Sequence, residues 1–388
     1  MLTKAFLHVP FHRSEMGDEE VQAVTDVIRS GWLTTGEKTA QFEREFAEYV
    51  GAANAIAVSS CTAALHLSLD AIGLRPGDEV LVPTNTFTAT AEAVTYMGAR
   101  PVLVDIDSRT LNIGSEDAEQ KITPRTRAII PVHVSGLPCD LDEIHALAET
   151  HSLRVIEDAA HALPSSYRGR RIGAISEFTA FSFYATKTLN TGEGGMVTTA
   201  NETYARRIRA MRLHGISRDQ NPHCEPDSWR YEVRETGYKY NLTDLQSALG
   251  LVQLAKCDAM FQARRQIAET YNSAFRSVEA LETPPAQPDR ESSWHLYVLR
   301  LQTGLMRISR DKFIQELAER GVHASVHFIP LHLQPAYQKR YGYSEGDLPV
   351  AEREYRRYIS LPIYPTMNEA EIQHVISSIA EVVDSFVR

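Results

Sequence analysis

Short apolar runs alternate with longer amphipathic stretches over the first 200 residues, and this alternation most constrains the fold. Seven runs rich in β-branched residues predict strands, at residues 55–58, 79–82, 102–104, 128–132, 154–156, 179–183 and 196–198. Between several of them lie segments whose apolar side chains recur at helical spacing, at residues 62–72, 89–97 and 141–150, and these predict helices. Such alternation favours a mainly parallel sheet covered by helices on both faces. The sequence therefore predicts an α/β fold with a seven-stranded sheet in one large domain.

The chain length of 388 residues is too great for one ordinary domain. Helical patterns at 14–29 and 39–49 precede the first strand, a charged stretch at 201–240 reads as irregular, and a long helix is expected at 243–278. After it come predicted strands at 295–301 and 323–327 and predicted helices at 309–320 and 369–386. We therefore predict a large domain over residues 1–245 and a smaller C-terminal α/β domain over residues 246–388.

Charge and cysteine spacing exclude several classes of protein. The formal net charge of −10 argues against general binding to nucleic acid or to an anionic membrane. The four cysteines, Cys61, Cys139, Cys224 and Cys257, form no CxxC pair, so we expect neither a metal site nor a disulfide framework. The sequence shows no secretory signal and no apolar run of membrane-spanning length. A cytoplasmic enzyme is the expectation.

Two charged residues follow predicted strands in the middle of the chain. Asp158 ends the strand that starts at Arg154, and Lys187 comes 29 residues later, just after the strand at 179–183. Ligands of open parallel sheets bind beyond the carboxyl ends of the strands. An aspartate and a lysine placed there suit pyridoxal 5'-phosphate, which needs a lysine amine for its aldehyde and a carboxylate for its ring nitrogen. The pair predicts a pyridoxal-phosphate site.

A phosphate cradle and a ring partner are expected nearby. Ser60, Cys61 and Thr62 stand between the first strand and a helix, whose N-terminus offers N–H groups and a positive dipole end to an anion. Ser182 supplies another hydroxyl, and Phe87 follows the second strand, where it can stack on the cofactor ring. Each residue alone has an ordinary structural explanation, and the prediction rests on their joint occurrence in this order.

Motifs over nearly the whole chain resemble the fold-type I nucleotide-sugar aminotransferases of the DegT/StrS family. The matching stretches are GWLTTG, AVSSCTAALHLSL, GDEVLVPTNTFTAT, GARPVLVDID, RAIIPVHVSG, IEDAAHAL, FSFYATKTLNTGEGG and GYKYNLTDLQSALGLVQL. The resemblance implies the fold-type I architecture of pyridoxal-phosphate transferases. It also implies that pyridoxamine 5'-phosphate forms during turnover.

The resemblance assigns roles to individual residues. Lys187 matches the Schiff-base lysine, Asp158 the partner of the pyridine nitrogen, and His161 the residue beside the ring and its phenolic oxygen. Phe87 matches the stacking aromatic. Thr62, the backbone of Cys61 and Ser182 match the phosphate cradle. Asn241 matches an asparagine that reaches the phosphate from the neighbouring subunit, which implies a homodimer with shared active sites.

The resemblance also implies the substrates. L-Glutamate is the usual donor of the family, leaving as 2-oxoglutarate, and the acceptor is a nucleotide-linked keto-sugar. The residues of the lysine motif and of the segment 327–337 resemble those of family members that aminate C4 of a 4-keto-6-deoxyhexose. The residues expected to contact substrate are Trp32, Thr34, Thr35, Tyr184 and His327.

Other reactions stay open at this point. Members that lack the lysine carry histidine there and act as dehydratases, and Lys187 argues against that branch. Amination at C3 of a sugar or of a keto-cyclitol, a lyase or desulfurase reaction, and a non-catalytic regulator remain as alternatives. Cys61 and the pair Leu163-Pro164 depart from the commoner residues of the family.

Overall fold

A computed structural model describes residues 7–217 and 231–388, so Cys224 lies outside the described residues. The strands are β1 Asn54–Val58, β2 Glu79–Pro83, β3 Arg100–Val104, β4 Thr126–Ile129, β5 Arg154–Asp158, β6 Ser166–Tyr167, β7 Arg170–Arg171, β8 Phe178–Ser182, β9 Gly195–Thr199, β10 Ile216–Ser217, β11 Glu232–Val233, β12 Leu281–Glu282, β13 Arg290–Glu291, β14 Tyr297–Leu301 and β15 Tyr358–Leu361. The α-helices are α1 Asp18–Ser30, α2 Glu37–Val50, α3 Cys61–Ala71, α4 Thr88–Tyr96, α5 Ser115–Gln120, α6 Leu141–His151, α7 Glu202–Met211, α8 Asp244–Phe275, α9 Arg310–Glu319, α10 Pro335–Tyr341, α11 Pro349–Tyr355 and α12 Glu369–Phe386.

The central sheet has seven strands in the order β1-β9-β8-β5-β4-β2-β3. Strand β9 runs antiparallel to both its neighbours, and the other neighbouring pairs are parallel. These are the seven strands that the sequence predicts, with bounds shifted by at most a few residues. The prediction of a mainly parallel seven-stranded sheet is therefore confirmed.

Helices cover both faces of this sheet because its strands are apolar on both sides. In β1, Ala55 and Ala57 join the core beneath α2, α5, α6 and the first half of α8, whereas Ile56 and Val58 join the core beneath α3, α4 and α7. This alternation follows from the two-residue repeat of a strand. Burial on both faces explains why the strands read as continuous apolar runs.

The smaller C-terminal unit has an antiparallel sheet of order β12-β14-β15 with α9 and α12 in its core. The strand predicted at residues 323–327 is wrong. In that segment only Ser325 makes a β-bridge, to Ser360, and the neighbour of β14 is instead β15. The chain at 323–327 leaves the sheet to carry His327 into the cavity described below.

The stretch at 201–240 is not irregular throughout, because α7 lies within it. Asn201 caps this helix by accepting hydrogen bonds from Thr203 N and Tyr204 N. Ala205, Ile208 and Met211 recur at helical spacing and are buried. Charged residues lie between these three apolar positions, so the composition of the segment alone does not reveal the helix.

Helix α8 belongs to both cores. Leu254 and Cys257 pack in the core of the large sheet, whereas Ile267 and Tyr271 pack in that of the small sheet. The domain boundary at 245/246 stays a prediction; it falls in the first turn of α8, which runs from one core into the other. Among the described residues, no helix is both long and apolar enough to cross a bilayer.

Candidate active site

A cavity of about 520 Å³ opens at the carboxyl ends of β5 and β8, where the small unit meets the large sheet. We call it the active-site cavity. It gathers most of the predicted site residues, namely Ser60, Cys61, Thr62, Phe87, Asp158, His161, Ser182, Tyr184, Lys187 and His327. The parallel strands explain this grouping, since their carboxyl ends meet at one edge of the sheet.

Asp158 is buried and held by hydrogen-bond donors on both oxygens. Thr90 Oγ1 donates to Oδ2 at 2.8 Å, and Ala160 N donates to Oδ1 at 3.1 Å. The Cys61 thiol approaches Oδ1 at 3.8 Å, and burial raises its pKa well above the usual value, so it stays protonated. Burial also raises the pKa of Asp158, against these bonds and the charge of Lys187.

Lys187 follows β8 and lines the same cavity. Burial lowers the pKa of its amine to about 8, although Cys61 and Asp158 act in the opposite direction. Near neutral pH, a lysine with such a pKa has a far larger unprotonated fraction than an exposed lysine with a pKa of about 10.4. The unprotonated amine is the form that attacks an aldehyde or accepts a proton from carbon.

The start of α3 has hydrogen-bond donors without a partner inside the helix. Ser60 is the N-cap and its Oγ accepts a hydrogen bond from Ala63 N at 3.1 Å, so its hydroxyl proton can point elsewhere. The first N–H groups of a helix have no partner within the helix. Ser182 Oγ likewise accepts from Tyr184 N at 3.3 Å and keeps a proton to donate.

Packing explains why β9 begins with a glycine. A Cβ on Gly195 would lie 2.5 Å from the carbonyl carbon of Ser60 and 2.7 Å from the nitrogen of Cys61. Only glycine lets β9 pass this close to the helix start. The packing of β9 on α3 therefore explains the last glycine of the motif FSFYATKTLNTGEGG.

Aromatic rings form the walls above the carboxylate. Phe87 is 59% exposed and lies 5.8 Å from Phe328, centroid to centroid, on the rim of the cavity. His161 is buried, and its Nδ1 accepts a hydrogen bond from Ser135 N at 3.3 Å. Burial and the charge of Lys187 lower the pKa of His161 well below its usual value. The neutral ring therefore carries its proton on Nε2.

Sequence reasoning missed several residues of the cavity. Thr90 stands three residues after Phe87, in the first turn of α4, which points its hydroxyl at Asp158. His295 contacts His161 with ring centroids 4.4 Å apart, and His12 comes from the N-terminal segment. Only the TFTAT motif gave a local signal, at Thr90; the histidines arrive from distant parts of the chain.

Four predicted residues do not line the active-site cavity: Trp32, Thr34, Thr35 and Asn241. They group instead at the start of α8. Asn241 Nδ2 donates to Thr35 Oγ1 at 2.7 Å, and the Thr34 carbonyl accepts from Asp244 N at 3.2 Å. The Trp32 side chain is 59% exposed beside them. Their roles in binding stay predictions.

The DegT/DnrJ/EryC1/StrS aminotransferase family matches residues 14–380 of the sequence. The chain belongs to this family. It is a pyridoxal-phosphate-dependent aminotransferase. The residues present fit this cofactor, because a buried carboxylate, a lysine of lowered pKa and a capped helix start with spare donors face one cavity.

Relatives match over nearly their full length. The spore coat polysaccharide biosynthesis protein SpsC of Bacillus subtilis is 47% identical over 385 residues, 99% of both chains. Spr1654 of Streptococcus pneumoniae, solved with PLP and with PMP, is 34% identical with a TM-score of 0.91; in the PMP form 98% of both chains is covered. PseC of Helicobacter pylori, an aminotransferase in pseudoaminic acid biosynthesis, is 29% identical with a TM-score of 0.91, over 98% of this chain and 100% of its own.

Proposed function

We propose that this aminotransferase moves the amino group of L-glutamate to C4 of a nucleotide-linked 4-keto-6-deoxyhexose. The products are 2-oxoglutarate and a 4-amino-4,6-dideoxy sugar nucleotide. The single observation that carries the aminotransferase chemistry is Lys187 and Asp158 facing one cavity with a helix start. The names of SpsC and PseC support a sugar acceptor, and the wording of the lysine motif supports C4.

Lys187 is the proton carrier of this mechanism. Bound pyridoxal phosphate supplies an electron sink that stabilises negative charge on the carbon losing its proton. With its pKa near 8, Lys187 as a free amine would take the proton from the donor's α-carbon and, as an ammonium, would pass it to the cofactor carbon. In the second half of the reaction it moves a proton to the sugar carbon that receives nitrogen.

Asp158 keeps the ring nitrogen of the cofactor protonated. Its raised pKa reflects a buried carboxylate beside neutral donors, and a cationic ring nitrogen supplies the charge that stabilises the ionised form. Thr90 fixes one oxygen and the Ala160 amide the other. Ser60, Thr62, Ser182 and the backbone of Cys61 hold the phosphate.

His161 and the substrate side complete the assignment. The Nε2–H of neutral His161 would be free to donate to the phenolic oxygen of the cofactor, since Nδ1 accepts from Ser135 N. Tyr184, 47% exposed, and His327 stand at the cavity where the sugar enters. Trp32, Thr34, Thr35 and Asn241 act on the partner's site in a homodimer.

The acceptor position is tested with a panel of nucleotide-linked 4-keto and 3-keto hexoses and a keto-cyclitol. Purified protein is incubated with each acceptor, L-glutamate and pyridoxal phosphate, and the product is assigned by NMR. A new amine at C4 with equimolar 2-oxoglutarate is the expected result. An amine at C3 or on the cyclitol would overturn the C4 assignment and keep the aminotransferase chemistry.

Two controls separate the reaction classes. Lys187→Ala should abolish turnover of every acceptor while the protein stays folded, because no other lysine lines the cavity within the described residues. Release of ammonia or sulfide without amine transfer would favour a lyase or desulfurase. Cofactor binding without conversion of glutamate would favour a regulator.

A further inference from the structure

A second cavity, of about 720 Å³, lies behind the active-site cavity, between the large sheet and the small unit. We call it the interdomain cavity. The large unit contributes the segments around Arg109 and Ser135, and the small unit contributes the end of α8 and the segment 283–294. Its size falls within the range of cavities that hold small molecules, about 300–1,000 Å³. Neither the aminotransferase chemistry nor any predicted site residue uses it.

The lining is strongly cationic on a protein that is acidic as a whole. In the described parts of the chain, its charged side chains are Arg109, Arg265, Arg276, Arg290, Arg300, Glu269 and Glu291. The excess of arginine contrasts with the net charge of −10. Such a local excess of positive charge attracts an anion.

Three of these arginines are already neutralised. Arg265 pairs with Glu269 at 2.9 Å and with Glu291 at 3.5 Å. Arg290 pairs with Asp140 and Asp289, at 2.9 and 3.0 Å, and Arg300 pairs with Glu282 and Glu354. These pairs fix the frame of the cavity.

Arg109 and Arg276 are different. Neither guanidinium makes an ion pair with any residue of 7–217 or 231–388, and both line the cavity. Arg109 belongs to the large unit and Arg276 ends α8 in the small unit. An arginine offers paired N–H donors that match the oxygens of a phosphate. Two guanidinium groups that have no ion pair among the described residues, one from each unit, therefore suit a phosphate-bearing ligand.

The rest of the wall is flat and apolar. Trp294 lines it beside Pro284 and Pro285, and the Trp294 ring lies 6.2 Å from that of Tyr297 at an interplanar angle of 23°. The Tyr297 hydroxyl donates to Asn272 Oδ1 at 2.8 Å, so the Asn272 amide NH₂ group remains for a ligand. A planar heterocycle with polar edges fits an indole and an amide better than an aliphatic chain does.

We propose that the interdomain cavity binds a nucleoside phosphate, with its phosphates on Arg109 and Arg276 and its base against Trp294. A ligand held by both arginines joins the two units of the chain. It also reaches the catalytic cavity, since Ser135 lines the interdomain cavity while its N–H donates to His161 Nδ1. Leu296 lines both cavities and forms part of the wall between them. Occupancy therefore changes turnover.

The test measures binding of UDP, ADP, uridine and inorganic pyrophosphate to the cofactor-loaded enzyme by calorimetry. UDP or ADP should bind, and Arg109→Gln and Arg276→Gln should each weaken binding about tenfold, because each removes charge-assisted hydrogen bonds. Arg307→Gln is the matched control, since Arg307 is an exposed arginine of the small unit outside this cavity. Its affinity should equal that of the parent.

Each other outcome contradicts the proposal. Nucleotide affinity unchanged in the double variant Arg109→Gln/Arg276→Gln means that the nucleotide binds only in the active-site cavity. If uridine binds as tightly as UDP, the arginines do not contribute to binding through the phosphates. If pyrophosphate binds as tightly as UDP and Trp294→Leu has no effect on UDP affinity, the base does not contribute to binding.

Coupling to His161 has its own readout. Saturating nucleotide should change kcat or KM for glutamate in the parent enzyme and leave both unchanged in the double variant. The glutamate half-reaction is chosen because it involves no nucleotide substrate. Identical kinetics with and without bound nucleotide would overturn the coupling.

Discussion

Asp158 shows how one side chain is prepared for its chemistry by residues that sequence patterns do not pair with it. Its oxygens receive bonds from Thr90, 68 residues earlier, and from the amide of Ala160. Its neighbour in sequence, Glu157, points to the other face of the sheet and bonds His133 at 2.7 Å. The two carboxylates are adjacent in the chain but serve opposite sides of β5.

Thr90→Val tests the support of Asp158. Removing the 2.8 Å donor raises the pKa of Asp158 further, because a bond that stabilises the ionised form is lost. A hydrogen bond to a charged group contributes roughly 1.5–3 kcal/mol, so we expect kcat to fall by about one to two orders of magnitude. Thr90→Ser keeps the donor and should restore most of kcat; equal losses in both variants would contradict this role.

The lowered pKa of Lys187 predicts a pH dependence of cofactor uptake. Below a pKa of about 8 the amine is mostly protonated, so the rate at which apoprotein combines with pyridoxal phosphate should rise with pH and level off above about 8. For a lysine analogue free in solution, the rate of reaction with pyridoxal phosphate should keep rising with pH towards a pKa of about 10.4. Stopped-flow absorbance measures both rates, and superimposable profiles would show that burial does not tune Lys187.

At the scale of elements, the site depends on how closely β9 passes the start of α3. The strand is antiparallel to both its neighbours, and it inserts between β1 and β8. This arrangement brings the Gly195 backbone against Ser60 and Cys61. The proposed phosphate cradle is therefore shaped by a strand that lies far later in the chain than Ser60 and Cys61.

Gly195→Ala should disrupt the cradle. The added Cβ would meet backbone atoms at 2.5–2.7 Å, which cannot move as a side-chain end can. Overpacking of this kind costs about 1–3 kcal/mol, so we expect a lower free energy of unfolding and weaker cofactor binding together. Gly304→Ala is the control, because its Cβ would meet no atom within 4 Å. Denaturant titration and cofactor release measure the two effects.

On the scale of the whole molecule, the predicted site residues fall into two groups. One group lines the active-site cavity, and the other, Trp32 with Thr34, Thr35 and Asn241, lies at the start of α8. The side chains of Val21 and Ile28 in α1 and of Trp32 and Leu33 after it are exposed by 47–66%. An apolar surface of this kind next to the second group is what the proposed homodimer would cover.

Mixed dimers test the shared site. Lys187→Ala and Asn241→Ala chains are each expected to be impaired alone. In a dimer of one with the other, one site combines Lys187 of the Asn241→Ala chain with Asn241 of the Lys187→Ala chain, so co-expression should restore activity. A distinguishably tagged, purified mixed dimer is assayed against both parent variants. No recovery would mean that Asn241 acts within its own chain or not at all.

The sequence by itself determined the seven strands and the large helices, and it singled out Lys187, Asp158, Phe87 and the cradle residues, which the fold brings to one cavity. These follow from local signals: apolar periodicity, strand ends and short motifs. The same signals gave a false strand at 323–327, where apolar residues serve the cavity instead of a sheet. They also hid α7 among charged residues.

Only the tertiary structure decided what surrounds those residues. Thr90 on Asp158, His295 on His161, Gly195 against Ser60, and the lowered pKa of Lys187 all come from segments that fold together from distant positions. The position of Asn241 outside the active-site cavity also depends on how distant segments pack. The same holds for Arg109 and Arg276, which have no ion pair among the described residues. Burial and contact between remote segments depend on the packing of whole elements, and no short stretch of sequence encodes that packing.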